Sequence, residues 1–188
     1  MVHVAATFAR VVVDVGAGDG AYVLHRARSE PGTFVIAIDA CPDALVDGAW
    51  KAKRLRLGNV AFLIESVERL PPLDGIADEV TVHFPWGSLL AGLIAADPAT
   101  LARLATLLEP GGELRMLISA TARDRYAEIG PALLRSRSDR YASAGLALVE
   151  SREAGPDDVA ASRSSWAKRL GAGRSRPVVF ARYRRVGS

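Results

Sequence analysis

The sequence predicts an α/β fold: a doubly wound, mostly parallel seven-stranded sheet with an antiparallel edge strand. Three observations predict it. Short β-branched or aromatic runs alternate with helical segments, the pattern of a parallel sheet covered on both faces. The first run stops at a glycine-rich turn, Gly16-Ala17-Gly18-Asp19-Gly20, and the second stops at Asp39, which suits a ligand beyond the carboxyl ends of the strands. No repeat, low-complexity tract or linker divides the 188 residues, so a single domain over 1–188 is expected.

In order, Val11-Val12-Val13 with Val15 reads as the first strand, followed by a helix from about Gly20 to Arg28. Phe34 to Ile38 is the second strand, and a helix runs from Pro42 to Arg54, with Trp50 on it packed or partly exposed. Val60 to Ile64 is the third strand, and Val80 to Phe84 the fourth, closed by Pro85. Asp97 caps a helix that has Pro98 in its first turn and runs to about Leu108. Pro110-Gly111-Gly112 turns into a fifth strand, Glu113 to Ile118. A helical stretch near Asp124 to Ala144 precedes a strand near Leu146 to Glu150, and Val178 to Tyr183 is the last strand. A short connection between those two suits an antiparallel edge.

Composition narrows the function classes. Hydrophobic content of 49% and charged content of 24% are ordinary for a water-soluble domain. No apolar run approaches the roughly 18 residues of a membrane helix, and Met1 to Arg10 lacks the regions of a secretory signal. Cys41 is the one cysteine, which forbids an internal disulfide and agrees with a cytoplasmic location. His3, His25, His83 and Cys41 show no ligand spacing, so no metal is expected. Net charge is +3, but Arg163 to Ser188 holds eight Lys/Arg and no acid. That asymmetry points to a polyanionic partner, or to a strand with solvated arginines.

The glycine turn alone would also admit a dinucleotide. Gly20 falls two residues after Gly18 rather than three, unlike the dinucleotide fingerprint. Asp14 near the strand end can face a cationic amino-acid moiety, and Asp39, about twenty positions on, can accept both ribose hydroxyls. Together these favour S-adenosylmethionine, with Asp14, Gly16, Gly18 and Asp39 as contacts. Val67 and Glu68, after the third strand, should lie near its adenine.

Four segments carry a resemblance: Val12 to Gly20, Glu68-Arg69-Leu70-Pro71-Pro72-Leu73, Phe84-Pro85-Trp86-Gly87-Ser88-Leu89-Leu90, and Ser164-Ser165-Trp166-Ala167-Lys168-Arg169-Leu170 with Gly173-Arg174-Ser175-Arg176. They resemble the aminoglycoside-resistance 16S ribosomal RNA (adenine-N1) methyltransferases of the kanamycin–apramycin type, over about Arg10 to Arg184. The resemblance implies a Rossmann-like class I methyltransferase using S-adenosylmethionine on an adenine of the 30S decoding site. It places Trp86 and Trp166 on either side of a flipped base. Ser164, or backbone near Pro85, would accept the exocyclic amine. N1 attacks through its own lone pair, so no general base is expected.

RNA binding should be led by phosphate contacts. Two basic sets answer: Lys51, Lys53, Arg54 and Arg56, and Arg169, Arg174 and Arg176 after Trp166. A monomer acting on the 30S subunit, with no membrane partner, is the expectation. Members of that family carry an N-terminal hairpin, whereas about nine residues precede the first strand here, so its contacts should be abbreviated. Thr121 to Asp158 matches poorly and yields no substrate residues. A methyltransferase for another RNA or a small molecule, a non-catalytic RNA-binding module of the same fold, and a nicotinamide oxidoreductase remain as rivals.

Overall fold

A computed structural model of the protein describes residues 2–70, 72–120, 126, 129–173 and 176–187. The strands are β1 (Arg10–Val15), β2 (Thr33–Asp39), β3 (Val60–Ile64), β4 (Ala77–His83), β5 (Leu108–Ile118), β6 (Leu146–Glu153) and β7 (Val179–Arg185). They form a seven-stranded sheet in the order β3-β2-β1-β4-β5-β7-β6. Pairing is parallel from β3 through β5, while β7 runs antiparallel to both β5 and β6. The order reverses beside β1, so the carboxyl ends of β1 and β4 flank the switch point.

Alternate residues feed opposite faces. On one face Val11, Val13 and Val15 join Ile36, Ile38, Val80, Val82, Leu114 and Met116. This layer is covered by α4 (Gly87–Ala95), α5 (Pro98–Leu107), α6 (Pro131–Ser136) and α7 (Ser138–Ser143), through Leu90, Leu93, Leu101, Leu104, Leu134 and Tyr141. On the other face Val12, Val35 and Ala37 meet Tyr22, Val23 and Ala27 of α2 (Ala21–Ser29) and Leu45 of α3 (Pro42–Arg54). The strands are apolar on both sides, as a covered parallel sheet requires. Glu79 faces α2 almost fully buried, held by Arg10 at 2.6 Å and Arg26 at 3.0 Å.

Several expectations change. Ahead of β1 a short helix, α1 (Val2–Ala5), tucks Ala5 into the core. Helix α4 was not among the expected elements, which pass from the fourth strand, closed by Pro85, to the helix capped by Asp97. Pro110-Gly111-Gly112 does not precede β5 but lies within it, where the β4 register jumps from Ala77–Leu108 to Glu79–Glu113. β6 and β7 are not joined by a short connection: α8 (Pro156–Ala161) and α9 (Ser165–Leu170) stand between them. The helical stretch near Asp124 lies partly outside the described residues; the described part is α6 and α7.

The C-terminal arginine cluster has partners within the fold. Arg182 reaches Glu113 at 2.9 Å and Glu150 at 3.6 Å, and Arg184 reaches Glu113 at 3.2 Å. Arg185 donates to the carbonyls of Thr106 and Leu108. These three arginines are thus engaged by groups of the fold, whereas Arg163, Lys168 and Arg169 of the same stretch are exposed. Among the described residues no single helix is long and apolar enough to cross a membrane.

Candidate active site

The site begins where β1 stops. Gly16 and Ala17 donate backbone N–H groups to the Ile38 carbonyl at 2.8 and 3.1 Å, which folds the turn back over β2. Gly16, Gly18 and Gly20 have φ of 78, 54 and 68°, the left-handed region that a side chain disfavours. A Cβ at Gly16 would press on Leu89 of α4 at 3.3 Å. The turn thus exposes bare backbone to a cavity.

Asp39 is fixed by two backbone donors: Gly18 to Oδ2 at 2.7 Å and Cys41 to Oδ1 at 2.8 Å. Each oxygen keeps lone pairs for a further donor. Asp14 is buried, accepting from the Thr81 hydroxyl at 2.7 Å, with His83 Nδ1 at 3.7 Å. Burial pushes the Asp14 carboxyl up to about 7, the Thr81 hydrogen bond opposes this, and Asp39 and Glu79 add to it. Burial, then Arg26, pulls His83 down to about 4, so its ring is neutral. A buried carboxylate without a cation of its own, beside a bare glycine turn, fits the ammonium end of an amino-acid ligand.

Two adjoining cavities meet here. One, of about 320 Å³, is lined by Gly16, Asp39, Val67, Glu68, Trp86 and Leu89 among others. The second, of about 510 Å³, joins Asp14, Gly18, His83 and Trp86 to Ser164, Trp166 and Arg169. Val67 opens a 3₁₀ turn and is buried, while Glu68 is exposed. Glu68 is held below the usual carboxylate range by its own backbone N–H and the hydroxyls of Ser66 and Ser88.

Both tryptophans line the second cavity, and neither points into the core: Trp86 is 72% exposed and Trp166 46%. What fastens them is a small apolar cluster of Phe84, Leu117, Ala167, Ala172 and Val178. Phe84 sits two residues before Trp86, and Ala167 directly follows Trp166. Phe84 also takes φ of 52°, a strained value for a bulky residue, and donates its N–H to the Leu117 carbonyl at 2.8 Å. Ser164 caps α9, accepting the Ala167 N–H at 3.1 Å. The Arg169 guanidinium lies 5.5 Å from the Trp166 ring centre.

Of the other expected RNA contacts, Lys51, Lys53, Arg54 and Arg56 are exposed at the far end of α3 and just beyond it. Arg176 is engaged inside the fold, donating Nε to the Ser119 hydroxyl at 2.8 Å and Nη2 to its carbonyl at 3.0 Å. Those bonds brace the end of β5. Arg174 lies outside the described residues. Sequence reasoning missed Tyr22, Thr81 and His83. The available signal was a polar pair at the end of an apolar strand, just before Phe84-Pro85-Trp86.

The chain is similar to known proteins over nearly its whole length. Residues 1–184 match the family model described as NpmA: 16S rRNA (adenine(1408)-N(1))-methyltransferase. A 16S rRNA (adenine(1408)-N(1))-methyltransferase of Streptoalloteichus tenebrarius is 36% identical over 186 residues, covering 91% of this chain and 85% of that protein. One from Escherichia coli is 31% identical over 184 residues, covering 90% and 84%. Among solved structures, a variant of the enzyme from Catenulisporales acidiphilia with its cosubstrate SAM superposes with a TM-score of 0.88 at 28% identity, covering 98% of this chain and 89% of that one. The 16S rRNA methyltransferase KamB gives 0.86 at 30% identity, covering 98% and 92%.

Proposed function

The chain belongs to the 16S rRNA (adenine(1408)-N(1))-methyltransferase family, and on that premise we propose that it methylates ring nitrogen N1 of this adenine in the 30S subunit, using S-adenosylmethionine and giving aminoglycoside resistance. We read residues 1–188 as one methyltransferase domain, monomeric and cytoplasmic. The ribosomal RNA substrate of the family supports the cytoplasmic reading. The observation that carries the reading is the shared cavity: two exposed indoles open onto the same space as the glycine turn, Asp14 and Asp39.

When bound, S-adenosylmethionine supplies a sulfonium methyl that the N1 lone pair attacks in line, leaving a neutral thioether and a cationic adenine. The protein's part is orientation. Asp14 holds the ammonium end, Asp39 the ribose hydroxyls, and Val67 and Glu68 the adenine end, over backbone bared at Gly16 and Gly18. Trp86 and Trp166 hold the extruded base, for which stacking contributes about 1–3 kcal/mol per contact. Ser164 Oγ keeps a lone pair beyond its cap bond for the exocyclic amine. N1 carries no proton to remove and the methyl is already activated, so the reading includes neither a general base nor a metal.

The test is methylation of purified 30S subunits, read as a primer-extension stop at the target adenine. Trp86→Ala and Trp166→Ala should each slow single-turnover methylation by about 5- to 150-fold, the rate equivalent of one lost stack, and calorimetric affinity for S-adenosylmethionine should hold in Trp166→Ala, since Trp166 lines only the second cavity. Methylation at a different nucleotide, or only of small molecules, would overturn the assignment.

A further inference from the structure

His83 lines the larger cavity, yet the methyl transfer gives it no task. It closes β4, where Glu79, Thr81 and His83 are alternate residues and so share the face turned towards α2. The imidazole stands edge-on to the ring of Tyr22 on α2, with centres 4.5 Å apart and planes at 82°. Its Nδ1 is buried and, among the described residues, has no hydrogen-bond partner. Leaving a buried polar nitrogen unpaired is unfavourable, and such atoms are rare in native folds. Asp14 Oδ1 lies 3.7 Å from it, about half an ångström beyond hydrogen-bond range. Other groups bear on Asp14 as well. Thr81 donates its hydroxyl from β4 at 2.7 Å, while Asp39 on β2 and Glu79 on β4 oppose ionisation. Arg26 on α2 favours ionisation, but it gives its hydrogen bonds to Glu79, Glu30 and the Tyr22 hydroxyl.

We propose that His83 is a positioning residue for the cofactor: the neutral ring carries its proton on Nδ1 and donates it in a hydrogen bond to Asp14 once that carboxyl ionises to receive the ammonium. The proposal rests on the functional reading above. Asp14 releases its proton to solvent as the ammonium enters, the ring keeps its own, and the gap between Nδ1 and Oδ1 closes. A lone pair on Nδ1 would instead repel the carboxylate, which selects this tautomer. With the neutral acid the same bond is about half as strong, and the gap stays open. Thr81 and His83 then hold the carboxylate from β4 while its remaining lone pairs face the ligand.

The experiment measures calorimetric affinity for S-adenosylmethionine across pH in wild type, His83→Leu and His83→Asn. Leucine fills a similar volume without a donor, whereas the asparagine amide nitrogen can stand where Nδ1 stands. At about pH 6, His83→Leu should bind about 10- to 150-fold more weakly than wild type, the worth of one hydrogen bond to a charged group. The ratio of the two affinities cancels any titration of the cofactor itself. That ratio should approach one at high pH, because the variant's curve is displaced upward by about 1–2 pH units. His83→Asn should recover most of the affinity. A deficit equal at every pH, or His83→Asn binding more weakly than His83→Leu, would show that the ring only packs, and overturns the proposal. 5′-Methylthioadenosine, which lacks the ammonium, should bind wild type and His83→Leu alike; a loss as large as that for S-adenosylmethionine overturns it too. Independently of any variant's folding, the nitrogen-15 spectrum of the cofactor-bound wild type should show a protonated His83 Nδ1, and an unprotonated one refutes the tautomer. If the wild type binds no S-adenosylmethionine at all, the functional reading fails instead, and the two failures are distinguishable.

Discussion

Asp14 ties cofactor binding to pH. Its carboxyl, pushed up to about 7 by burial, holds a proton in the free protein under mildly acidic conditions, yet the ammonium it receives needs the ionised form. Affinity for S-adenosylmethionine should therefore fall about tenfold per pH unit below about 7 and level off above it, as measured by calorimetry. An affinity that is flat across this range would mean that Asp14 is already ionised in the free protein. For folding, the raised Asp14 value means that stability is lost as pH climbs from 3.8 towards 7. His83, lowered from 6.5 to about 4, does the reverse, losing stability as pH falls through the same window. The two effects oppose each other, so melting of the free protein should respond to pH less than cofactor binding does. Ser164 poses a question of two roles. Ser164→Ala removes both the α9 cap, worth about 1 kcal/mol, and the hydroxyl facing the cavity, whereas Ser164→Gly costs the cap only a few tenths of a kcal/mol. If single-turnover methylation survives Gly but not Ala, Ser164 acts through the helix; if both lose it, the hydroxyl contacts the base.

At the level of elements, the strands were legible and the short helices were not. Runs such as Val11-Val12-Val13 and Phe34 to Ile38 are apolar on both faces, and that signal survives without tertiary context. By contrast α8 and α9 are six residues each, too short to show a period, and exist because Ser164 and the Phe84 cluster hold them. Glycine spacing, Asp39 and the segments around Trp86 and Trp166 made the site readable. The Asp14–Thr81–His83 group was not, since it requires the register of β1 against β4, where Asp14 pairs with Thr81. The cluster under the tryptophans was hidden for the same reason, being drawn from four separate stretches of chain. Phe84→Ala should cost about 3 kcal/mol or more, roughly 6–12 °C in melting temperature. Methylation should drop further than cofactor affinity, because both indole mounts loosen together. Equal losses in the two would show that the cluster supports the glycine turn as well.

For the whole molecule, charge position matters more than charge count. Arg182, Arg184 and Arg185, near the end of the sequence, are engaged by Glu113, Glu150 and main-chain carbonyls, whereas Lys51, Lys53, Arg54, Arg56 and Arg169 are exposed. Arg184→Ala should accordingly leave the salt dependence of 30S binding unchanged and lower the melting temperature slightly, an exposed pair being worth at most about 1 kcal/mol. A flattened salt slope in Arg184→Ala would place RNA on the β7 edge. The position of β7 ties the sheet to the clamp. Although β7 follows β6 in sequence, it is inserted between β5 and β6, and Val178 just before it completes the apolar cluster behind both indoles. Until β7 docks, β6 has no neighbour and the clamp for the base has no backing. Competence to grip a base therefore waits on the insertion of this strand, however much of the remaining sheet has already formed.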